Sequence, residues 1–381
     1  MGKSYIENSL KRFLKRKVKI TLGLVVTFMI TGMVSFAGDK PVEEMNNFEK
    51  AEYYLTGLGK SNIKQGEYKD STGKYTISVA ENGDISFSGF DTNGTSAGGN
   101  VISKVPNNMI SKVTKELLER GALAGELKVI ETQGGENGTN TNIVSGPNGQ
   151  NGTKLENKGI LLGDGIGQYL NWGSKAINYG IIIANGTRGD GGGQSSLGSK
   201  NATVENYGVI LSEGNGQYVG FNIKNDKNNQ VYNFGYIQSK NSGQILDKVD
   251  TNTAYNYGVI NSINGNGQEI RKEALNSEIR NYGLIEANKF AQSVTGETNS
   301  AYNFGVIRGK NVFLVEVKEN AKAYNDGIII NESGTGIYSN DVKENAVNNG
   351  MIVINGDSIT NNFTNNGIVL NSSFDVIDNR E

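Results

Sequence analysis

Ala254-Tyr-Asn-Tyr-Gly-Val-Ile260 decides how this chain folds, because the chain repeats the pattern ten times. Aligned on Asn-x-Gly, the copies carry Asn157, Asn178, Asn206, Asn233, Asn256, Asn281, Asn303, Asn325, Asn348 and Asn365. Successive copies lie 21, 28, 27, 23, 25, 22, 22, 23 and 17 residues apart. A period in this range indicates a solenoid of stacked units. Unequal gaps suit a β-helix, whose loops change length while its strands stay in step.

The columns around Asn-x-Gly set the register. Two residues before the asparagine stand Leu155, Ala176, Val204, Val231, Ala254, Ile279, Ala301, Ala323, Ala346 and Phe363. Two residues after the glycine stand Leu161, Ile182, Ile210, Ile237, Ile260, Ile285, Ile307, Ile329, Ile352 and Val369. The unit is apolar-x-Asn-x-Gly-x-aliphatic, with a spacing of two. Strands place such positions on one face, and a helix cannot. The aliphatic residue is expected to stack on its copy one coil away, at the roughly 4.8 Å strand spacing. A buried asparagine is costly alone, but in a stack each amide donates to the next carbonyl. The glycine either takes a positive φ or leaves space at a tight bend. The expected fold is therefore all-β: a right-handed parallel β-helix of about ten coils over residues 151–381, a rod about 48 Å long. Ordinary Asn-Gly hairpins would need two matched strands per turn, which the columns lack.

A second motif follows the first. Gly-Gln occurs at Gly167-Gln168, Gly193-Gln194, Gly216-Gln217, Gly243-Gln244 and Gly267-Gln268, and is read as the start of the coil's next strand. Between Asn and Gly stand Tyr179, Tyr207, Phe234, Tyr257, Tyr282 and Phe304 in six successive coils. Just after the glycine stand Ile181, Val209, Tyr236, Val259, Leu284 and Val306. If the strand alternated without a break, both columns would face out as an apolar stripe, the mark of an interaction surface. If Asn-x-Gly is a corner, the alternation resets and the stripe covers a neighbouring edge.

Composition narrows the classes. The chain holds 52 Gly but only 3 Pro, and this excludes collagen. It has no Cys and no His, which excludes disulfides, Cys-ligated zinc and Cys–His catalysis. Of its 37 basic and 39 acidic residues, seven and one fall within residues 1–37, so the remainder carries 30 against 38, net −8. No nucleic-acid partner is expected from that balance, nor any cofactor.

Upstream, Lys11, Arg12, Lys15, Arg16, Lys17 and Lys19 precede an apolar run from Ile20 to Val34, and Ser35-Phe36-Ala37 places small residues for a cut after Ala37. This pattern reads as a cleaved Sec-type signal peptide over residues 1–37 with an extended basic n-region, its apolar run short for a membrane span. Residues 38–130 read as a small α+β module capping the first coil. Its helix 43–58 carries Met45, Phe48, Ala51, Leu55 and Leu58 on one face, strands over 74–90 turn at Asn82-Gly83, and a second helix spans 107–120. Residues 131–150 are rich in Gly, Asn and Thr and read as a linker or an irregular first coil.

With the leader Leu10-Lys-Arg-Phe-Leu-Lys-Arg-Lys-Val-Lys19 and the Asn-Tyr-Gly-Val-Ile repeats, the chain resembles the passenger domain of a type V autotransporter adhesin of the fusobacterial kind. The resemblance covers residues 1–37 and 151–381. It implies a non-enzymatic adhesin or stalk at the cell surface, associated with the outer membrane, whose partners are a host-cell or bacterial surface receptor and an outer-membrane β-barrel translocator. The closing residues Asp378-Asn-Arg-Glu381 lack the amphipathic strand alternation of such a barrel. The translocator is thus expected in a missing or separate part.

Carbohydrate-active β-helix enzymes are the competing class. They require paired carboxylates ~5–9.5 Å apart. Glu156 and Glu205 share a column two coils apart, roughly 10 Å by strand spacing. With nothing else clustered around them, they read as surface charges. Gly163-Asp-Gly-Ile-Gly167 lacks the tandem copies of a Ca²⁺-binding repeat, and no Gly-Lys-Ser/Thr marks a phosphate loop. Arg188-Gly189-Asp190 sits in a glycine-rich stretch and is a candidate binding loop.

Overall fold

The computed structural model describes parts of residues 65–88, strands at 104–105, 129–132 and 143–145, most of residues 154–371 with short breaks, and Val376. The leader 1–37, the expected helices 43–58 and 107–120, and Arg188-Gly189-Asp190 lie outside the described residues.

The chain is a parallel β-solenoid. Each coil contributes three short strands, as in Thr253–Asn256, Val259–Ser262 and Gln268–Ile270. Equivalent strands stack into three parallel sheets of ten, eleven and nine strands. They are called here the asparagine, aliphatic and glutamine sheets. Pairing keeps the repeat in step: Asn256 lies opposite Asn233 and Asn281, and Ile260 opposite Ile237 and Ile285. The sheets reach back beyond residue 151. Val129–Thr132 pairs with Ile160–Gly163, and Ile143–Ser145 with Tyr169–Asn171, so these residues belong to the rod and not to a linker.

The core runs down the axis. The aliphatic column of Ile182, Ile210, Ile237, Ile260, Ile285 and Ile307 is 0% exposed and packs with the small residues Ala176, Ala254 and Ala301 of the asparagine sheet and with Leu246, Ile270 and Val294 of the glutamine sheet. Small residues face large ones because three sheets leave a narrow interior, and burial of these columns is the main stabilising term.

Three kinds of corner close each coil. At Asn-x-Gly, the asparagine strand ends and the aliphatic strand begins two residues after the ring-bearing position. The alternation resets there. The corner glycines do not adopt positive φ. A Cβ on Gly258 would instead stand 2.1 Å from the Gly235 oxygen of the adjacent coil, so glycine is needed for close approach. The glycines of Gly-Gln answer a different neighbour: a Cβ on Gly243 would stand 2.3 Å from Ile260 Cγ2. The corner from the glutamine sheet back to the asparagine sheet uses the left-handed region at Asn201, Asn228, Thr251, Asn276 and Asn320, with φ of 56°, 56°, 60°, 48° and 58°. Asparagine tolerates that region best among residues with a side chain.

The described part of the module 38–130 is wholly β. Gly66–Lys69, Thr76–Val79, Ile85–Ser88 and Lys104–Val105 form an antiparallel sheet. Asn82 Oδ1 accepts from the Asp84 N–H at the turn between the second and third strands. The apolar face of this sheet, Ile77, Val79, Ile85 and Phe87, joins Ile160, Leu162, Ile181, Ile183, Val209 and Leu211 in one buried cluster. Those partners are outward residues of the aliphatic sheet. These described strands thus cover a flank of the rod, while the other residues of the expected cap over the first coil lie outside the described ones. The flank is apolar and would otherwise be a large exposed patch.

Candidate functional site

The ten repeat asparagines form one hydrogen-bonded ladder. Asn157 Nδ2 donates to Asn178 Oδ1 at 2.8 Å, Asn178 to Asn206 at 2.8 Å, and so on through Asn348 to Asn365 at 2.7 Å. The second N–H of Asn178 donates to the Val209 carbonyl, and its Oδ1 also accepts from the Gly180 N–H. Both donors and both acceptor positions of that amide are used. This is why the residue is bearable at 0% exposure.

The sequence reading placed Gly-Gln on the next strand but missed its role. Gln168, Gln194, Gln217, Gln244, Gln268 and Gln292 form a second buried ladder, each after Gln168 donating to the preceding coil's Oε1 at 2.7–2.9 Å. Their second N–H crosses the interior to a carbonyl of the asparagine sheet, as from Gln244 to Tyr255 at 3.2 Å. The regular recurrence of Gln at one strand position was the legible clue. A third, mixed row lines the left-handed corner: Ala202 N–H donates to Asn229 Oδ1, Asn229 N–H to Asn252 Oδ1, Asn252 N–H to Ser277 Oγ, and Ser277 N–H to Asn299 Oδ1.

The aromatic residues of the corner stack along the rod. Tyr179, Tyr207, Phe234, Tyr257, Tyr282 and Phe304 have ring centroids 4.7–5.3 Å apart and interplanar angles of 5–12°. Tyr207, Phe234 and Tyr257 are buried, while Phe304 is 38% exposed. The sequence reading missed a second column beside it, at the position before each asparagine. There Tyr232 stacks on Tyr255 at 4.8 Å and Tyr302 on Tyr324 at 5.3 Å. Arg280 sits between the two pairs, its Cζ 6.0 Å from the Tyr255 ring and 5.2 Å from that of Tyr302, and it is paired with Glu278. Because ring faces are spent on one another, the strip offers solvent mainly edges and phenol groups. The neighbouring column Ile181, Val209, Tyr236, Val259, Leu284 and Val306 is buried throughout, between 1% and 3% exposed.

The outward carboxylates are closed by cations. Ile177 stands between Glu156 and Glu205 in the column. Glu156 holds Lys154 and Lys158, and their hydrogen bonds keep its carboxyl below the usual range and raise Lys154. Glu205 accepts from Lys175 at 2.7 Å and from the Tyr207 hydroxyl at 3.0 Å. On the glutamine sheet, Asp247 and Glu269 both bind Arg271, and Glu316 binds Lys318. Burial works to lower Arg271, yet these two carboxylates hold it raised. A glycosidase pair needs one carboxyl kept protonated by an apolar setting; Glu156, held between two lysines, is pushed the other way, whereas Glu286, half-buried beside Arg308, is raised by burial. Among the described residues, no three of Asp, Glu, His and Cys are grouped to hold a metal ion, and no helix is long and apolar enough to cross a membrane.

The architecture defines the class as a parallel β-solenoid braced by internal amide ladders. Comparison with protein-family models, with curated proteins and with solved structures gave no match.

Proposed function

We propose that this chain is a non-enzymatic passenger exported by a Sec-type leader and displayed at or released from the surface of a Gram-negative cell, where its rod serves adhesion to host cells or other bacteria, or carries an adhesive part. The observation that carries this reading is the unbroken asparagine ladder from Asn157 to Asn365. A continuous ladder makes a stiff body whose length is set by coil number, and a surface spacer needs that property. The cation-paired Glu156 and Glu205 support a scaffold over a hydrolase. On this reading a β-barrel translocator delivers the rod, and the receptor contacts loops such as Arg188-Gly189-Asp190 or the aromatic strip.

The test expresses the full chain with its leader beside a translocating barrel, treats intact cells with protease, and measures binding of purified residues 38–381 to epithelial cells and to bacteria. Surface cleavage and saturable binding are expected, and Arg188→Ala reports whether the loop carries it. A chain that stays cytoplasmic, or a purified rod that binds neither cell type, overturns the proposal.

A further inference from the structure

The two aromatic columns share a feature that stacking does not require. Within each column the tyrosines occur in adjacent pairs, never in threes. The inner column reads Tyr179-Tyr207, then Phe234, then Tyr257-Tyr282, then Phe304. The outer column reads Tyr232-Tyr255, then Arg280, then Tyr302-Tyr324. Along its column each pair bridges two adjacent coils and is bounded by a residue that cannot couple, while across the columns Tyr255 also stacks on Tyr257 at 6.2 Å and 16°. The rings within a pair lie nearly parallel: 4.8 Å and 5° for Tyr232-Tyr255, 4.9 Å and 5° for Tyr257-Tyr282, and 5.3 Å and 14° for Tyr302-Tyr324.

We propose that these pairs are sites of oxidative tyrosine coupling, at which hydrogen peroxide activated by a haem peroxidase staples neighbouring coils through dityrosine. Each phenol gives one electron and one proton to the oxidant, leaving a neutral phenoxyl radical. The radicals join through their ring carbons ortho to oxygen. Each of those carbons then passes its hydrogen to its own oxygen, which restores both aromatic rings. Two phenols and one peroxide thus give one biaryl and two waters.

The stacked geometry favours this step. The unpaired density of a phenoxyl radical lies in lobes perpendicular to the ring, so the first carbon–carbon bond forms face to face. Paired tyrosines on adjacent coils already present those faces, held by in-register pairing of Tyr232 with Tyr255 and Tyr302 with Tyr324. Coupling becomes effectively unimolecular, which is the usual gain from preset orientation. The outer pairs react first, because Tyr232, Tyr255, Tyr302 and Tyr324 are only half-buried. In a chain without cysteine, these links are covalent ties that oxidation adds between coils. They constrain the unfolded chain as a disulfide does.

The experiment treats the dilute mature chain with haem peroxidase and hydrogen peroxide. It then records dityrosine emission, migration on a denaturing gel, and the linked tryptic peptides. The expected result is emission from a species that still migrates as a single chain, with peptides joining Tyr232 to Tyr255 and Tyr302 to Tyr324, and a raised melting temperature. In Tyr255→Phe/Tyr324→Phe, which keeps the ring stack, emission falls to about half or less, because both outer pairs, the more exposed ones, lose a phenol. Circular dichroism checks that the variant folds. Links found mainly between chains, unchanged emission in the double variant, or the same linked peptides at equal yield from the urea-unfolded chain would overturn the proposal.

Discussion

Two buried amide ladders run along this rod, and they differ in persistence. The asparagine ladder has ten members and spans the repeats from Asn157 to Asn365. The glutamine ladder has six and stops at Gln292, after which Val315 and Ile337 take the same strand position. Both satisfy their amides from coil to coil. The asparagine has a further task, since its oxygen also accepts the N–H of the corner glycine. The glutamine lies within a strand, and the sheet continues when it is replaced by an aliphatic residue. A stacked amide is dispensable where it only fills the interior, and retained where it also shapes the backbone.

Asn256→Leu tests that contrast most severely. It strips a partner from Asn233 and Asn281 and releases the corner. A loss of about 4 kcal/mol in urea unfolding is expected, near the upper range for breaking a buried network. Gly258→Ala follows at about 3 kcal/mol, because its Cβ meets backbone that cannot step aside. Gly243→Ala is expected to cost less, since Ala291 occupies the equivalent place before Gln292. Gln244→Leu should cost about 2 kcal/mol. If it matches Asn256→Leu, the two ladders are equivalent and the contrast fails.

Ser196 shows what a polar group costs outside a ladder. It stands in line with Leu170 and Val219, and its buried hydroxyl has no hydrogen-bond partner. Ser196→Ala should stabilise the rod by about 1 kcal/mol, read as a higher melting temperature. The smallest effect concerns Glu286, outside both ladders, whose carboxyl burial raises above its ordinary value of 4.5. A raised carboxyl pKa costs stability at neutral pH, and the cost disappears once pH falls below the unfolded value. Glu286→Gln should therefore stabilise slightly at pH 7 and be neutral below about pH 4, as compared by unfolding at the two pH values.

Much of this was legible in the sequence, for a physical reason. Parallel in-register stacking forces equivalent residues into columns, so an amide or an isoleucine that stacks must recur at one position. The asparagine row, the aliphatic row and the first aromatic column emerged that way. The glutamine ladder was visible only as a strand start, because whether a side chain points inward depends on where the preceding corner resets the alternation. The left-handed corner at Asn201, Asn228, Thr251, Asn276 and Asn320 was not visible, since backbone conformation there is shared while residue type is not. Within the apolar flank beneath Ile77 and Phe87, Ile181 and Val209 were read as part of a stripe that either faces solvent or covers a neighbouring edge. Its cover comes from residues far upstream, and no local pattern announces such a long-range contact.

The opposed directions of the two ladders have an electrical consequence. Asparagine amides point their N–H groups toward the C-terminal coils, while glutamine amides point theirs toward the N-terminal ones. Hydrogen-bonded amides in a chain polarise one another, so each row alone would build an axial dipole. Between Gln168 and Gln292 the two rows oppose and largely cancel. Beyond Gln292 only the asparagines continue, so the last coils carry an uncompensated dipole with its positive end toward Asn365.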